Sequence, residues 1–374
     1  MVIVNLVASE SNRSMAARNS VIESLRIFAM FAIVLSHYCL HGGMFSDQSN
    51  SVSSLVLAAG ASWGKWGVDL FVLITGFFLS AATCKEKLIK HILKYCVQVW
   101  TTSILCVVCF ALYSRSHIGL KVLISALFPI GYNMWWFATA YFVLLILSPF
   151  LNVLLSSLSK QQHKNMIIAM LLLWSVPVLL LPKSSYDYAE NTSLFLMLYA
   201  IGGYIRKYNT IEQKRPWIFY SIGLMGLMAI SSVLIRTLCV YFPFLKNDTL
   251  YFVTANSPLT IMAAITTLLA ALAIKPISSN LVDRIAASAF GVYLFTDSVF
   301  TRPIIWYDLV HTKEQFYSAN IVFLMISSVL CVFLAAAILE IARQIFIQKP
   351  VMRLCEVIFG KLRNLSVRSK FDTQ

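Results

Sequence analysis

Charge is what this chain has least of. Only 12% of its 374 residues are Asp, Glu, Lys or Arg, against roughly 25% in ordinary soluble domains. Acid is scarcest, with 16 Asp and Glu facing 30 Lys and Arg, which leaves a net charge of +14. There is too little polar surface to coat a water-soluble globule of this size, so a soluble enzyme and a disordered chain are both excluded. A disulfide scaffold is excluded too. Of the eight cysteines, Cys39, Cys106, Cys109, Cys239 and Cys331 lie in apolar runs, and Cys84, Cys96 and Cys355 lie beside basic residues. Cys106 and Cys109 form a CxxC with no second pair and no nearby histidine, which reads as apolar filler rather than a metal or redox motif. The chain also lacks internal repeats, low-complexity stretches and any loop long enough to hold a soluble catalytic domain. Residues 1–20 have no apolar core of signal-peptide length, so no cleavable leader is expected.

What fills the chain is apolar sequence. Hydrophobic residues make up 59% and the mean hydropathy is +0.76, the composition of a protein whose solvent is largely lipid. Apolar runs of spanning length extend from about Val21 to His41, Trp66 to Ala82, Val97 to Tyr113, Trp135 to Leu155 and Met166 to Leu181. Five more extend from about Ser193 to Ile205, Trp217 to Tyr241, Leu259 to Ile274, Ile285 to Tyr307 and Asn320 to Ile341. The expected fold class is therefore all-α, a polytopic integral membrane protein with about ten transmembrane helices. Basic residues test the count. One alternate set of connecting segments carries twenty Lys and Arg, including Lys85, Lys94, Lys160, Arg206, Lys207 and the tail from Lys349 to Lys370. The other set carries six: Lys65, Arg115, Lys121, Lys183, Lys246 and Lys313. By the positive-inside rule both termini are cytoplasmic. The basic surplus then faces anionic lipid, and no nucleic-acid partner is expected. Three segments follow: a cytoplasmic stretch 1–20, a membrane domain 21–347 and a basic cytoplasmic tail 348–374.

An ionisable residue inside a span costs on the order of 2.5–3.5 kcal/mol at the helix centre, so each is a functional candidate. The first span carries Glu23, Arg26, His37 and His41. Arg26 and His37 are eleven residues apart, which is three helical turns plus about 20°, so they share a face with about 16 Å between them. His41 lies one further turn along. Arg26 could equally snorkel to lipid phosphates and His37 serve as an interhelical donor. In the second span Asp69 sits between Gly67 and Gly76, entering from the outer side at the level expected for His37. It could orient that imidazole or pair with Lys65 at the rim. Asp297 and Arg302 lie in or near the ninth span. Trp135 and Trp136 could form an interfacial belt or a stacking wall for substrate. Arg236, and Glu340 with Arg343, lie near span ends and read as structural.

Four motifs in series resemble the membrane acyltransferase 3 family, multi-pass O-acyltransferases of bacterial carbohydrates. They are Arg26-x10-His37; Val68-Asp69-Leu70-Phe71-Val72-Leu73-Ile74-Thr75-Gly76-Phe77; Trp136-Phe137-Ala138-Thr139-Ala140-Tyr141 through Pro149; and Phe290-Gly291-Val292-Tyr293-Leu294-Phe295-Thr296-Asp297. His41-Gly42-Gly43 and Ile201-Gly202-Gly203-Tyr204-Ile205 are similar to the branch found in exopolysaccharide clusters. Two positions depart from the pattern: Thr75 stands for the usual Ser, and Thr296 for a His. The resemblance implies a bacterial inner-membrane protein that moves an acyl group, usually acetyl, from cytoplasmic acetyl-CoA to a sugar hydroxyl of a lipid-linked or surface glycan. It implies no tightly bound cofactor and no metal. In that setting His37 is the general base or an acyl-accepting nucleophile. Arg26 meets the CoA phosphates or thioester carbonyl, and Asp69 orients the histidine. Trp135, Trp136, Tyr141, Tyr293, Asp297, Arg302 and His41 are expected around the substrates. A transporter or flippase of lipid-linked glycan is the competing class, but the paired Gly/Pro interruptions that mark midplane transport sites are missing.

Overall fold

A computed structural model of the chain describes residues 19–47, 49–81, 85–115, 119–180, 192–208, 216–245 and 248–357. Among them the only regular elements are helices. The first, α1 (Ser20–His41), starts where the Asn19 side chain accepts from the Val21 N–H. That N-cap satisfies a donor left free at the first turn. It ends at Gly42, with Gly43 following in the left-handed region at φ +82°. Then come α2 (Val52–Ala61), α3 (Gly64–Leu79), α4 (Lys85–Ser114), α5 (Leu120–Leu127), α6 (Trp136–Ser157) and α7 (Lys160–Trp174). The second half holds α8 (Thr192–Tyr208), α9 (Trp217–Leu238), α10 (Pro258–Leu272), α11 (Asn280–Asp297) and α12 (Ile321–Arg343).

Among the described residues, seven stretches are long and apolar enough to cross a bilayer: Ser20–His41, Leu88–Ser114, Trp136–Ser157, Lys160–Leu180, Trp217–Leu238, Tyr251–Leu272 and Ile321–Val357. The other three expected spans fall on α3, α8 and α11, which have 16, 17 and 18 residues. At 1.5 Å per residue α3 is about 24 Å long, short of a hydrocarbon core about 30 Å thick. These three are inner helices. α3 packs on α8, α1 and α10, and α11 packs on α1 and α12. Protein rather than lipid surrounds them, so they tolerate polar groups and small residues. The outer helices show the converse. α9 exposes Phe219, Ile222, Ile230 and Leu234, and α7 exposes Leu172 and Leu173, apolar faces that a bilayer would cover.

Glycine sets the tightest crossing. A Cβ at Gly76 would lie 2.5 Å from the Tyr199 carbonyl oxygen, and one at Gly202 would collide with the Leu73 carbonyl oxygen. α3 and α8 thus meet backbone to backbone, the contact that small residues permit between membrane helices.

The structure differs from the expected spans in four places. The ninth does not run to Tyr307: α11 stops at Asp297, and a π-helical turn, Ile304–Leu309, follows. Arg302 Nε and a terminal nitrogen donate to the Asp297 main-chain oxygen at 3.0 and 2.8 Å, satisfying a carbonyl that a continued helix would have used. The loop between the first two spans contains the ten-residue α2, whose Leu57, Ala58 and Ala61 are buried. α4 begins at Lys85, so the basic stretch before the third span is helical. The helical stretch beginning at Ile321 continues to Val357, past the expected start of the tail at 348; residues 1–18 and 358–374 lie outside the described residues.

Residues near span ends also turn out buried. Arg236 is 1% exposed and donates to the Phe45 and Asp47 carbonyls, clamping the loop after α1. Glu340 and Arg343 form a 2.7 Å ion pair, with side chains 0% and 1% exposed.

Candidate active site

His37 is buried on α1, and its ring stands 5.3 Å from that of His41, one turn on, and 6.0 Å from that of Tyr293 on α11. Its Nδ1 is 3.1 Å from Thr296 Oγ1. Its Nε2 is 3.8 Å from Asp297 Oδ1, and His41 Nε2 is 3.3 Å from the same oxygen. Arg302 reaches that oxygen as well, at 3.0 Å. Two imidazoles from α1 and one carboxylate from the end of α11 therefore converge. The end of α11 is held by Arg302, and Trp135 N–H donates to the Leu294 carbonyl at 3.1 Å.

His37, His41 and Asp297 offer ligand atoms within 4.8 Å of one another, the set among the described residues that could hold a metal ion. The Arg302 guanidinium on the shared carboxylate oxygen opposes a cation there by simple repulsion.

The Arg26 end of α1 opens onto a cavity of about 220 Å³. Arg26, His91 and Lys94 supply basic groups, and Thr75, Tyr95, Gln98 and Tyr141 supply hydroxyls and an amide. Phe71, Phe137 and Phe290 form the apolar wall. Arg26 is paired with Glu23 at 2.9 Å and stays partly exposed. Thr75 Oγ1 donates to the Phe71 carbonyl at 2.9 Å and lies 3.1 Å from Tyr141 Oη. With the threonine proton committed, the tyrosine is the donor between them. The cavity and the histidine cluster are joined through aromatic rings. Phe137 lies 5.5 Å from Tyr293, and Phe290 lies 6.1 Å from it in a stacked arrangement.

The sequence-derived set therefore divides. His37, His41, Tyr293, Asp297 and Arg302 come together, and Arg26 and Tyr141 line the cavity. Asp69 does not join His37. It is 0% exposed, its two oxygens have no hydrogen-bond partner among the described residues, and the charge acting on it is Lys65. The reason is register. In the antiparallel α1–α3 pair, Gly64 lies against Ser36 and Gly67 against Ala29 and Ile33. Asp69 consequently sits towards the Arg26 end of α1, several residues below His37. The carboxylate beside the imidazole is that of Asp297. Trp135 is no stacking wall either: it is 1% exposed with its N–H committed. Trp136 is half-buried and lies under Lys65 Nζ, 4.2 Å from its ring centroid.

The cavity's α4 lining was missed in the sequence, although its signal was there. His91, Lys94, Tyr95 and Gln98 recur at i, i+3, i+4 and i+7, one helical face. Lys94 belongs to that helical face rather than to a loop.

A family model described as an acyltransferase domain, that of the acyltransferase 3 family, matches residues 19–340. The chain belongs to that family. No curated protein and no solved structure matches it. The matched region contains every residue of the histidine cluster and every cavity-lining residue named above, so the acyltransferase domain and the site coincide along the chain.

Proposed function

We propose that this acyltransferase moves an acyl group, acetyl by preference, from cytoplasmic acyl-CoA to a sugar hydroxyl of a surface or exopolysaccharide glycan. It does so as a ten-span protein of the bacterial inner membrane, with both termini in the cytoplasm. The observation that carries this reading is the arrangement along α1: a basic, partly apolar cavity at Arg26, and a histidine with carboxylate support three turns away. A CoA thioester is an anion joined to a long, flexible arm whose methylene and methyl groups alternate with amides. Arg26 and Lys94 suit the anion by charge, with the Arg26 fork suited to phosphate oxygens, His91 offers a hydrogen bond, and Phe71, Phe137 and Phe290 suit the arm.

A sugar hydroxyl is a poor nucleophile and needs a base within hydrogen-bond reach. His37 serves either by taking that proton or by attacking the thioester carbonyl and carrying the acyl group briefly. In both routes the imidazole becomes cationic, and Asp297 lies where that charge develops. His41, Arg302, Tyr293, Tyr141 and Trp136 surround the reacting groups or line the approaches. No tightly bound cofactor is needed.

The test is to offer labelled acetyl-CoA to membranes containing the protein or its His37→Ala variant. Label should enter glycan with the native protein and not with the variant at equal membrane abundance. Undiminished transfer by well-inserted His37→Ala would overturn the assignment. Glycan movement without label incorporation would instead favour a transporter or flippase.

A further inference from the structure

The tautomer of His37 is set by the side chain at position 296, the place where this chain departs from the family pattern it otherwise resembles. Thr296 Oγ1 has one proton and three neighbours that could receive it, the Tyr293 carbonyl oxygen being the farthest at 3.4 Å. The Val292 carbonyl oxygen is 2.9 Å away and His37 Nδ1 is 3.1 Å away. A carbonyl oxygen only accepts, so a 2.9 Å oxygen–oxygen contact in this buried place is favourable only if the threonine proton lies in it. With that proton committed, Thr296 Oγ1 presents a lone pair to the imidazole, and His37 Nδ1 must carry the hydrogen. The other nitrogen, Nε2, is then bare. It faces Asp297 Oδ1 at 3.8 Å, too far for a neutral N–H to be held there but close enough to favour a proton or positive charge once one arrives. Thr296 is buried at 0% exposure and His37 at 8%, so water does not readily substitute for this contact.

We infer that Thr296 is a positioning residue that fixes His37 as its Nδ1–H tautomer, leaving Nε2 as the nitrogen that takes the hydroxyl proton or attacks the thioester. The chain of contacts runs from the α11 backbone at Val292, through one hydroxyl, to the imidazole. It performs the orienting task that a carboxylate on Nδ1 performs in many hydrolytic triads, while the carboxylate here stands on the Nε2 side. In the proton-transfer route, Nε2 forms a bond to the sugar hydroxyl proton as the oxygen bonds to the acyl carbon and the CoA sulfur departs with the electron pair. The proton then passes from Nε2 to the thiolate. In the covalent route, Nε2 bonds to the acyl carbon as the carbon–sulfur bond breaks and the thiolate leaves. The sugar oxygen then displaces the imidazole from that carbon, and the hydroxyl proton passes to the thiolate. Both need the lone pair on Nε2.

This inference rests on His37 being the reactive group, so its test has one arm that needs no substrate. Protein labelled with 15N-histidine is compared with its Thr296→Val and Thr296→Ser variants, at a pH well above the ordinary histidine value. His37→Ala identifies which resonances belong to His37. The native protein and Thr296→Ser should show Nδ1 protonated and Nε2 bare. Thr296→Val, which keeps the shape and removes the hydroxyl, should show a mixture or the opposite tautomer. In the kinetic arm, kcat should fall about tenfold to a hundredfold in Thr296→Val with KM for acetyl-CoA nearly unchanged, and Thr296→Ser should recover most of it. Nε2 protonated in the native protein overturns the inference. So does an unchanged tautomer in Thr296→Val, or Thr296→Ser behaving like Thr296→Val. If Thr296→Val does not fold, the native and Thr296→Ser spectra still decide. An Nδ1–H tautomer in a native protein that transfers no acyl group would leave the tautomer assignment standing and remove the proposed function.

Discussion

Two carboxylates compete for the role of partner to His37, and substitution separates them. Asp297→Asn removes a negative charge 3.8 Å from His37 Nε2. At that distance the attraction between a carboxylate and an imidazolium is at most about 4 kcal/mol at an effective dielectric near 20. Arg302, 3.0 Å from the same oxygen, offsets a large part of it. A net loss of roughly 1.4–2.8 kcal/mol from the transition state follows, which is a fall in kcat of about tenfold to a hundredfold. The fold should survive, because two of the Arg302 bonds go to the Asp297 main-chain oxygen and do not depend on the carboxylate. Affinity for acetyl-CoA should also survive, because the basic groups of the cavity are untouched. Asp69→Asn is the contrasting case. Asp69 lies towards the Arg26 end of α1, away from His37, and asparagine preserves its shape, so turnover per folded molecule should stay within a few-fold of native. The measurements are detergent-solubilised yield, acetyl-CoA affinity and single-turnover label transfer for each variant. A strong loss of turnover in Asp69→Asn with none in Asp297→Asn would refute the assignment of Asp297 and the helix register behind it.

Glu340→Leu should destabilise the protein by about 3–5 kcal/mol, because it strands Arg343 in a buried site and removes the acceptor of Gln98 on the cavity wall. Adding Arg343→Met should restore much of that loss; thermal unfolding in detergent measures both, and no difference between single and double variants would sink this account. For the proposed topology, single cysteines at positions 187 or 248 should react with an impermeant thiol reagent from outside intact cells, and those at 162 or 212 should not, in a background free of reactive native thiols. The reverse pattern would invert the orientation.

Much of the site could be read from one helix. Arg26 and His37 were placed on a common face by the helical period, and His41 followed one turn on; the structure keeps all three where that period puts them. The period fixes which face a residue occupies but says nothing of how far one helix is slid along another. That offset depends on contacts such as Gly64 on Ser36 and Gly67 on Ala29, which no single segment encodes. Depth alone allows Asp69 either His37 or Lys65 as its partner; the offset takes it away from His37 and leaves the charge of Lys65 acting on it. The end of α11 was hidden for a related reason. The residues after Asp297 continue apolar through Val299, Phe300, Ile304 and Ile305, so hydropathy sees an unbroken run. The stop comes from Arg302 folding back onto the last carbonyl, a local polar contact within an apolar stretch. Short inner helices were legible as apolar segments, but their lengths of 16 to 18 residues acquire meaning only once neighbouring helices are seen to enclose them.

The separation between cavity and histidine cluster bears on how water is kept from the reaction. An activated acyl group near a basic imidazole is at risk of hydrolysis, and the defence is to exclude water from the path between donor and base. In this structure that path crosses Phe137 and Phe290, which line the cavity, and then Tyr293, which stands against His37. Tyr141 extends the layer by stacking on Phe137 at 5.7 Å, and Tyr95 by stacking on Phe290 at 5.1 Å. Their hydroxyls are tethered, Tyr95 to the Ala138 carbonyl and Tyr141 to Thr75. Helices α4, α6 and α11 each contribute a side chain to this layer. On the proposed function, a donor seated at Arg26 would reach His37 past an apolar partition, and the hydroxyl at the imidazole ring, that of Thr296, donates to the backbone. The same packing that orders the bundle also separates His37 from the cavity.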